Sequence, residues 1–222
     1  MQGLFITATD TGAGKTYVTA AACRALRREG RPFRVCKPVA TGAQWDQGRW
    51  LAEDTRLLAE AAGERDLDAV TPVAFPVPAA PPVAARLAGA GLTLDGLAAA
   101  VRRRAAAGVP VLVEGVGGLL CPLTEAATVA DLAAALGLPL LVVARRSLGT
   151  LNHTLLTLEV ARARRLRVAG VVVSETGPVN GPAEETNVEE LRRRIGVPLL
   201  AVVPHGAAEV PSVAWWALLN VG

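Results

Sequence analysis

The chain has 222 residues, 51% hydrophobic and 19% charged, which suits one α/β domain, is too short for two comfortable ones, and rules out wholesale disorder. Lys plus Arg outnumber Asp plus Glu by 23 to 20, and an excess of +3 scattered along the chain is too small to make nucleic acid the main partner.

In chain order, Leu4-Phe5-Ile6-Thr7-Ala8 reads as a short buried strand, followed by a Gly-containing loop and a helix from about Thr16 to Arg28 that Gly30 and Pro32 close. Arg34-Val35-Cys36 begins a second strand. Leu51 to Ala62 has helical spacing with acidic residues in its first turn, and the proline-rich piece Thr71–Pro82 reads as extended loop. Thr93 to Ala107 is helical, with Thr93 as N-cap, and Gly108-Val109-Pro110 ends it. Val111–Val113, Leu140–Val143, Val171–Val173 and Leu199–Val203 are continuous apolar runs, as expected of parallel strands covered on both faces. Helices at Val129–Leu136, Leu151–Arg165 and Ala183–Ile195 separate them. The β-α-β-α order carries no internal repeat and no linker, so residues 1–222 are expected to form a single doubly wound, mainly parallel sheet with helices on both faces.

The longest uncharged stretch, Ala69–Ala85, contains five prolines and cannot run as a membrane-spanning helix. No basic region precedes the apolar run near Met1, so no secretory signal is expected. Cys23, Cys36 and Cys121 form no CxxC pair and read as free thiols of a reducing compartment, which points to the cytoplasm. The lysine count is more telling. Only two of the 23 basic residues are Lys, namely Lys15 and Lys37; the rest are Arg. Where Arg has taken over generic surface work, a retained Lys marks a need for a compact ammonium beside phosphate oxygens or a nitrogen nucleophile.

Thr9-Asp10-Thr11-Gly12-Ala13-Gly14-Lys15-Thr16 lies between the first strand and the first helix, where a phosphate-binding loop belongs. Backbone N–H groups at the start of the helix (Gly12 to Tyr17) face phosphate oxygens, Gly12 and Gly14 admit a close approach, Lys15 reaches the β/γ-phosphates and the Thr16 hydroxyl ligates Mg2+. The usual first glycine of this motif falls at Thr9. An ordinary Gly-rich turn would account for the glycines but not for the Lys-Thr pair, and an NAD-type GxGxxG is absent. Glu114 ends an apolar strand beside Gly115, Gly117 and Gly118, where a buried carboxylate needs a cation and therefore reads as a second Mg2+ ligand. Asp54 is a third oxygen candidate, although Asp in a first helical turn is common for dipole reasons alone. Lys37, in the turn Lys37–Gly42, opens on the same sheet edge and would neutralise charge in phosphoryl transfer.

These segments, together with Glu114-Gly115-Val116-Gly117-Gly118 and Leu148-Gly149-Thr150-Leu151-Asn152-His153, are similar in order and approximate spacing to those of the dethiobiotin synthetase family. The resemblance implies a P-loop NTPase-like fold and the penultimate step of biotin synthesis, in which 7,8-diaminononanoate, CO2 and MgATP give dethiobiotin, ADP and phosphate. It implies Lys37 and Lys15 as catalytic residues, Thr16, Asp54 and Glu114 as metal ligands, and Gly12–Tyr17 with Glu114–Gly117 around the nucleotide. Thr11 and Thr41 take substrate-binding positions. Gly149, Thr150, Leu151 and Asn152 open a helix whose N-terminus suits the substrate carboxylate, and in the family this segment comes from the partner subunit, which implies a homodimer with the substrate site at the interface. Ser174-Glu175 stands where the family commonly offers an Asn-Asp-like pair to the base, and Pro204-His205-Gly206 is the other base-side loop. Rival readings are a partition- or septum-type switch ATPase and an ATP-dependent cofactor amide ligase. The first carries a lysine five residues before the loop lysine, where this chain has Asp10; the second normally needs a glutaminase partner, and no cysteine here sits in a nucleophile-like turn.

Overall fold

In the computed structural model, which describes residues 1–105, 108–207, 210 and 213–220, the apolar runs line up as one parallel sheet. The elements are β1 (Gly3–Ala8), α1 (Lys15–Arg28), β2 (Arg34–Cys36), β3 (Ala40–Thr41), β4 (Gln44–Asp46), β5 (Arg49–Leu51), α2 (Glu53–Ala62), α3 (Leu67–Val70), β6 (Ala74–Phe75), α4 (Pro81–Leu87), α5 (Leu94–Arg104), β7 (Val111–Glu114), α6 (Val129–Leu136), β8 (Leu140–Arg145), α7 (Thr150–Ala163), β9 (Val168–Ser174), α8 (Pro182–Arg194), β10 (Leu199–Val203) and α9 (Trp215–Leu219). Six strands pair in the order β10-β9-β8-β1-β7-β2, every neighbouring pair parallel.

Alternate strand residues feed opposite layers, as a pleated sheet requires. Leu4, Ile6 and Ala8 of β1 pack with α1, α2 and Trp215 of α9 on one face. Phe5 of the same strand packs with Val101 of α5 and Leu132 of α6 on the other, where Val142 and Ala144 of β8 meet the helices α7 and α8. Both faces are covered, which is why the strands are apolar throughout rather than alternating.

Several boundaries differ from the sequence expectation. Leu51 belongs to β5, and the helix after it starts at Glu53. Residues 40–51 hold three short strands: β3, which pairs with β6, and β4 and β5, which form an antiparallel hairpin. The stretch Thr71–Pro82 is not loop throughout, because β6 lies inside it and α4 begins at Pro81, whose fixed φ and missing N–H suit the first helical turn. Thr93 caps α5, its hydroxyl accepting from the Gly96 amide at 3.1 Å, but the helix ends at Arg104; Ala106 and Ala107 lie outside the described residues. The helix expected over Leu151–Arg165 runs Thr150–Ala163, with Arg165 in the left-handed region at φ 55°. The one expected over Ala183–Ile195 runs Pro182–Arg194. All three cysteines are free, Cys23 and Cys36 buried. Among the described residues no helix is long and apolar enough to cross a membrane.

Candidate active site

Strand order assembles the site. β7 lies between β1 and β2, with Ile6 opposite Glu114 and Cys36 opposite Val113. The loop leaving β1, the carboxylate ending β7 and the lysine following β2 therefore emerge side by side at the carboxyl edge of the sheet, where open α/β folds bind ligands. The Gly115 amide donates to the Ile6 carbonyl at 2.9 Å and the Thr9 amide to the Val143 carbonyl at 3.0 Å, which fixes the loop between its two neighbours.

Gly12 and Gly14 sit at φ +73° and +90°, conformations that L side chains rarely adopt. They turn the chain into α1, whose first turn, starting at Lys15, carries no acidic residue to compete with an anion. Lys15, Lys37, Thr16, Asp54, Thr41 and Thr11 line one cleft of about 380 Å³, with Gly12, Gly14, Tyr17, Val116 and Gly117 completing its walls. The two lysines that the sequence singled out thus share a cavity. Of the other sequence candidates, Ala13 and Gly115 are buried behind it. Ser174, Glu175, Pro204–Gly206 and Gly149–Asn152 lie outside its lining.

At the floor, the Lys37 Nζ donates to Asp54 Oδ2 at 2.6 Å and to Glu114 Oε1 at 2.7 Å. The Thr16 hydroxyl donates to the same Glu114 Oε1 at 2.8 Å. Glu114 is fully buried and Lys37 is 4% exposed. Burial alone would lower the Lys37 pKa, but Glu114 and Asp54 outweigh it and hold the ammonium above its ordinary value. Burial likewise pushes the Asp54 carboxyl up, and the Lys37 ammonium overcomes this to hold it below the usual carboxylate range. Lys15 goes the other way: burial lowers it, Glu114 opposes that shift, and the like charge of Lys37 adds to it.

The second oxygen of Glu114 is buried without a hydrogen-bond partner. The Thr16 hydroxyl and the carboxylates of Asp54 and Glu114, with that orphan among their oxygens, form a hard-oxygen donor set, and Mg2+ is commonly held by one or two carboxylates together with substrate phosphates. Among the described residues no group of three or more His, Cys, Asp or Glu is gathered to hold a metal, so an ion here would rely on the two carboxylates, the Thr16 hydroxyl and oxygens of the nucleotide. The residues present fit a nucleotide-bound Mg2+.

Two further hollows adjoin the cleft. One of about 450 Å³ lies between Thr41, Val116 and the Pro78–Pro81 segment. The other, of about 350 Å³, runs from Thr9–Thr11 past Gly118–Cys121 to Leu156 and Val160 of α7. Cys121 lines both, and sequence reading assigned it no role; only its closeness to the Gly117-Gly118 turn could have signalled it. Arg146 was missed as well. Its guanidinium pairs with one oxygen of Glu175 and donates to the Glu184 carbonyl at 2.7 Å, while the other Glu175 oxygen accepts from the His205 amide at 3.2 Å. Both carboxylate oxygens of Glu175 are therefore engaged in tying the loops after β8, β9 and β10 together.

A family profile described as an AAA domain matches residues 2–210. The chain is 45% identical over 204 residues to the ATP-dependent dethiobiotin synthetase BioD of Anaeromyxobacter dehalogenans (strain 2CP-C), covering 92% of this chain and 90% of that one. It is 43% identical over 209 residues to the protein of the same description from Aromatoleum aromaticum, covering 94% and 92%. Among solved structures it resembles a ParA family ATPase from Chlorobium tepidum TLS with a TM-score of 0.56 and 14% identity, over 92% of this chain and 85% of that one. At that identity the likeness speaks to fold alone.

Proposed function

The chain belongs to the dethiobiotin synthetase family, and from that membership we propose that it closes the cyclic urea of dethiobiotin from 7,8-diaminononanoate, CO2 and ATP through a carbamate and a carbamic-phosphoric anhydride. The activity is an ATP-dependent ligase step of biotin biosynthesis. The observation that carries the mechanistic reading is the convergence of both lysines with Thr16, Asp54 and Thr41 on one cleft.

One substrate amine captures CO2 and loses a proton, giving a carbamate. A carbamate oxygen takes the γ-phosphoryl group as ADP leaves. The second amine then attacks the carbamoyl carbon, phosphate departs, and proton loss completes the urea. The substrate brings both nitrogens, so no protein nucleophile is required. Lys15 and the α1 N-terminus hold the triphosphate, and Lys37 stabilises the carbamate and the migrating phosphoryl group, where catalysis is mostly positioning and electrostatics. Thr16, Asp54 and Glu114 would hold Mg2+, which when bound neutralises phosphate charge. Ser174, Glu175 and Pro204–Gly206 face the base side, where main-chain groups do the reading because Glu175 is engaged by Arg146 and His205.

The substrate chain lies toward Thr11 and Thr41, with its carboxylate at the N-terminus of α7 (Gly149–Asn152) contributed by the second subunit of a homodimer. Leu120 and Leu156, 49% and 56% exposed, line one hollow beside the loop Thr9–Thr11 and give that arrangement an apolar surface to cover. The direct test incubates the protein with MgATP, bicarbonate and diaminononanoate. A product heavier by the added carbonyl, formed with phosphate release, is expected; ATP hydrolysis stimulated by DNA or lipid and indifferent to the diamine would overturn the reading.

A further inference from the structure

We propose that the Lys37 ammonium is a place-holding cation in the metal seat: it neutralises Asp54 and Glu114 until a divalent ion arrives with the nucleotide, and that ion displaces it toward the reacting centre. The proposal rests on the reading of Thr16, Asp54 and Glu114 as metal donors. Three observations carry it. The nitrogen lies 2.6 Å from Asp54 Oδ2 and 2.7 Å from Glu114 Oε1, the two carboxylates a metal would use. The Thr16 hydroxyl donates to the same Glu114 oxygen at 2.8 Å, so the hydroxyl, the carboxylate and the ammonium already meet at one point of the seat. Glu114 is fully buried, and a carboxylate there is tolerable only beside a cation.

The two cations cannot share the seat. Mg2+ binds oxygen at about 2.0–2.1 Å and tolerates little distortion. An ammonium still held at 2.7 Å from the same oxygen would press two positive charges together inside a desolvated pocket. The movement required is confined to a side chain. The Lys37 backbone is pinned, its amide donating to the Val70 carbonyl at 2.7 Å, whereas the four-carbon stem turns about ordinary rotamers. This accounts for lysine at the position in a chain whose basic residues, Lys15 apart, are otherwise arginine: a guanidinium hydrogen-bonded to both carboxylates would be far harder to evict. It also means that Lys37 reaches the substrate only when the metal is present.

The presence of only two lysines makes the exchange observable. Protein labelled with 15N-lysine gives two Nζ signals, and loss of one in Lys37→Met assigns them. A metal-free sample saturated with a non-hydrolysable ATP analogue is titrated with Mg2+, with binding followed in parallel by calorimetry. The Lys15 signal should respond to the nucleotide before metal is added, and the Lys37 signal should shift or lose its slow hydrogen exchange in proportion to bound Mg2+. In Lys37→Met, Mg2+ alone should bind about tenfold more tightly than in the wild type, because the competing cation is gone. If Mg2+ binds the wild type while the Lys37 signal stays unmoved, or if Lys37→Met binds Mg2+ no more tightly, the exchange is overturned and the proposed function stands. If Mg2+ does not bind the nucleotide-loaded protein at all, the exchange and the metal-site reading fall together.

Discussion

A Cβ on Gly14 would lie 2.4 Å from the hydroxyl oxygen of Ser174 and 3.0 Å from its Cβ. The last glycine of the phosphate loop is therefore pressed against the end of β9, two strands away from the strand it follows. This contact fastens the loop Gly12–Thr16 to the chain where it leaves β9.

Gly14→Ala should accordingly fail on two counts, a left-handed backbone worth about 1–2 kcal/mol and a clash worth about 1–3 kcal/mol. We expect a lower Tm and nucleotide affinity reduced by about tenfold or more. Adding Ser174→Gly should restore part of the loss by removing the clash while leaving the backbone strain. Equal nucleotide titrations for wild type and Gly14→Ala would show that the loop has another conformation in solution.

The two lysines should separate by kinetic signature. Lys15→Ala is expected to weaken ATP binding, whereas Lys37→Ala should abolish turnover, by about a thousandfold or more, with nucleotide affinity largely kept. Removing Lys37 also leaves the Glu114 carboxylate buried and uncompensated, so a destabilisation of about 3–5 kcal/mol should appear in denaturant unfolding. An active Lys37→Ala enzyme, or unchanged ATP affinity in Lys15→Ala, would discredit these roles.

Arg146→Ala frees Glu175 and slackens the loop at His205 without touching the lysines. The expected result is a severalfold higher KM for ATP at nearly constant kcat, the pattern of lost ground-state binding. Arg146→Lys, which retains charge but not the forked geometry, should recover only part of the effect. A fall in kcat with KM unmoved would place Arg146 in the chemistry instead.

One acid-sensitive contribution to stability sits at the start of α6. Partial burial pushes Asp131 up, but hydrogen bonds from the Thr128 hydroxyl and amide and the Arg164 guanidinium outweigh it, holding its carboxyl below the usual range. A depressed native value stabilises the fold above the unfolded carboxylate pKa, about 4, and that contribution disappears as pH falls through the native value. The stability gap between wild type and Asp131→Asn should be present at neutral pH and shrink below about pH 4. A gap of constant size across that range would mean that Asp131 acts without its charge.

Much of the site can be read in the residues because the loop Gly12–Thr16, Glu114 and Lys37 each follow or end a strand of the central sheet. Leu4–Ala8 points to the loop at Gly12–Thr16, Val111–Val113 to Glu114, and Arg34–Cys36 to Lys37, and those strands are adjacent in the sheet. Adjacency itself could not be read, since the order β1-β7-β2 depends on crossover packing rather than on local pattern. The pairing of Lys37 with Asp54 and Glu114 was hidden for the same reason. Small elements were lost where local signals mislead. Pro81-Pro82 looks like a breaker yet opens α4, and the β4–β5 turn uses Gln47 at φ 46°, a residue with no strong left-handed preference. The Arg146–Glu175 strut joins positions 29 apart that carry no shared motif.

The scarcity of lysine has a practical side. The only lysine side chains in these 222 residues are those of Lys15 and Lys37, 8% and 4% exposed inside the cleft. Ester-activated dyes, biotinylation reagents and amine-coupled sensor surfaces should therefore spare both lysines while the fold is intact. Any labelling of a lysine would report directly on opening of the cleft around Lys15 and Lys37.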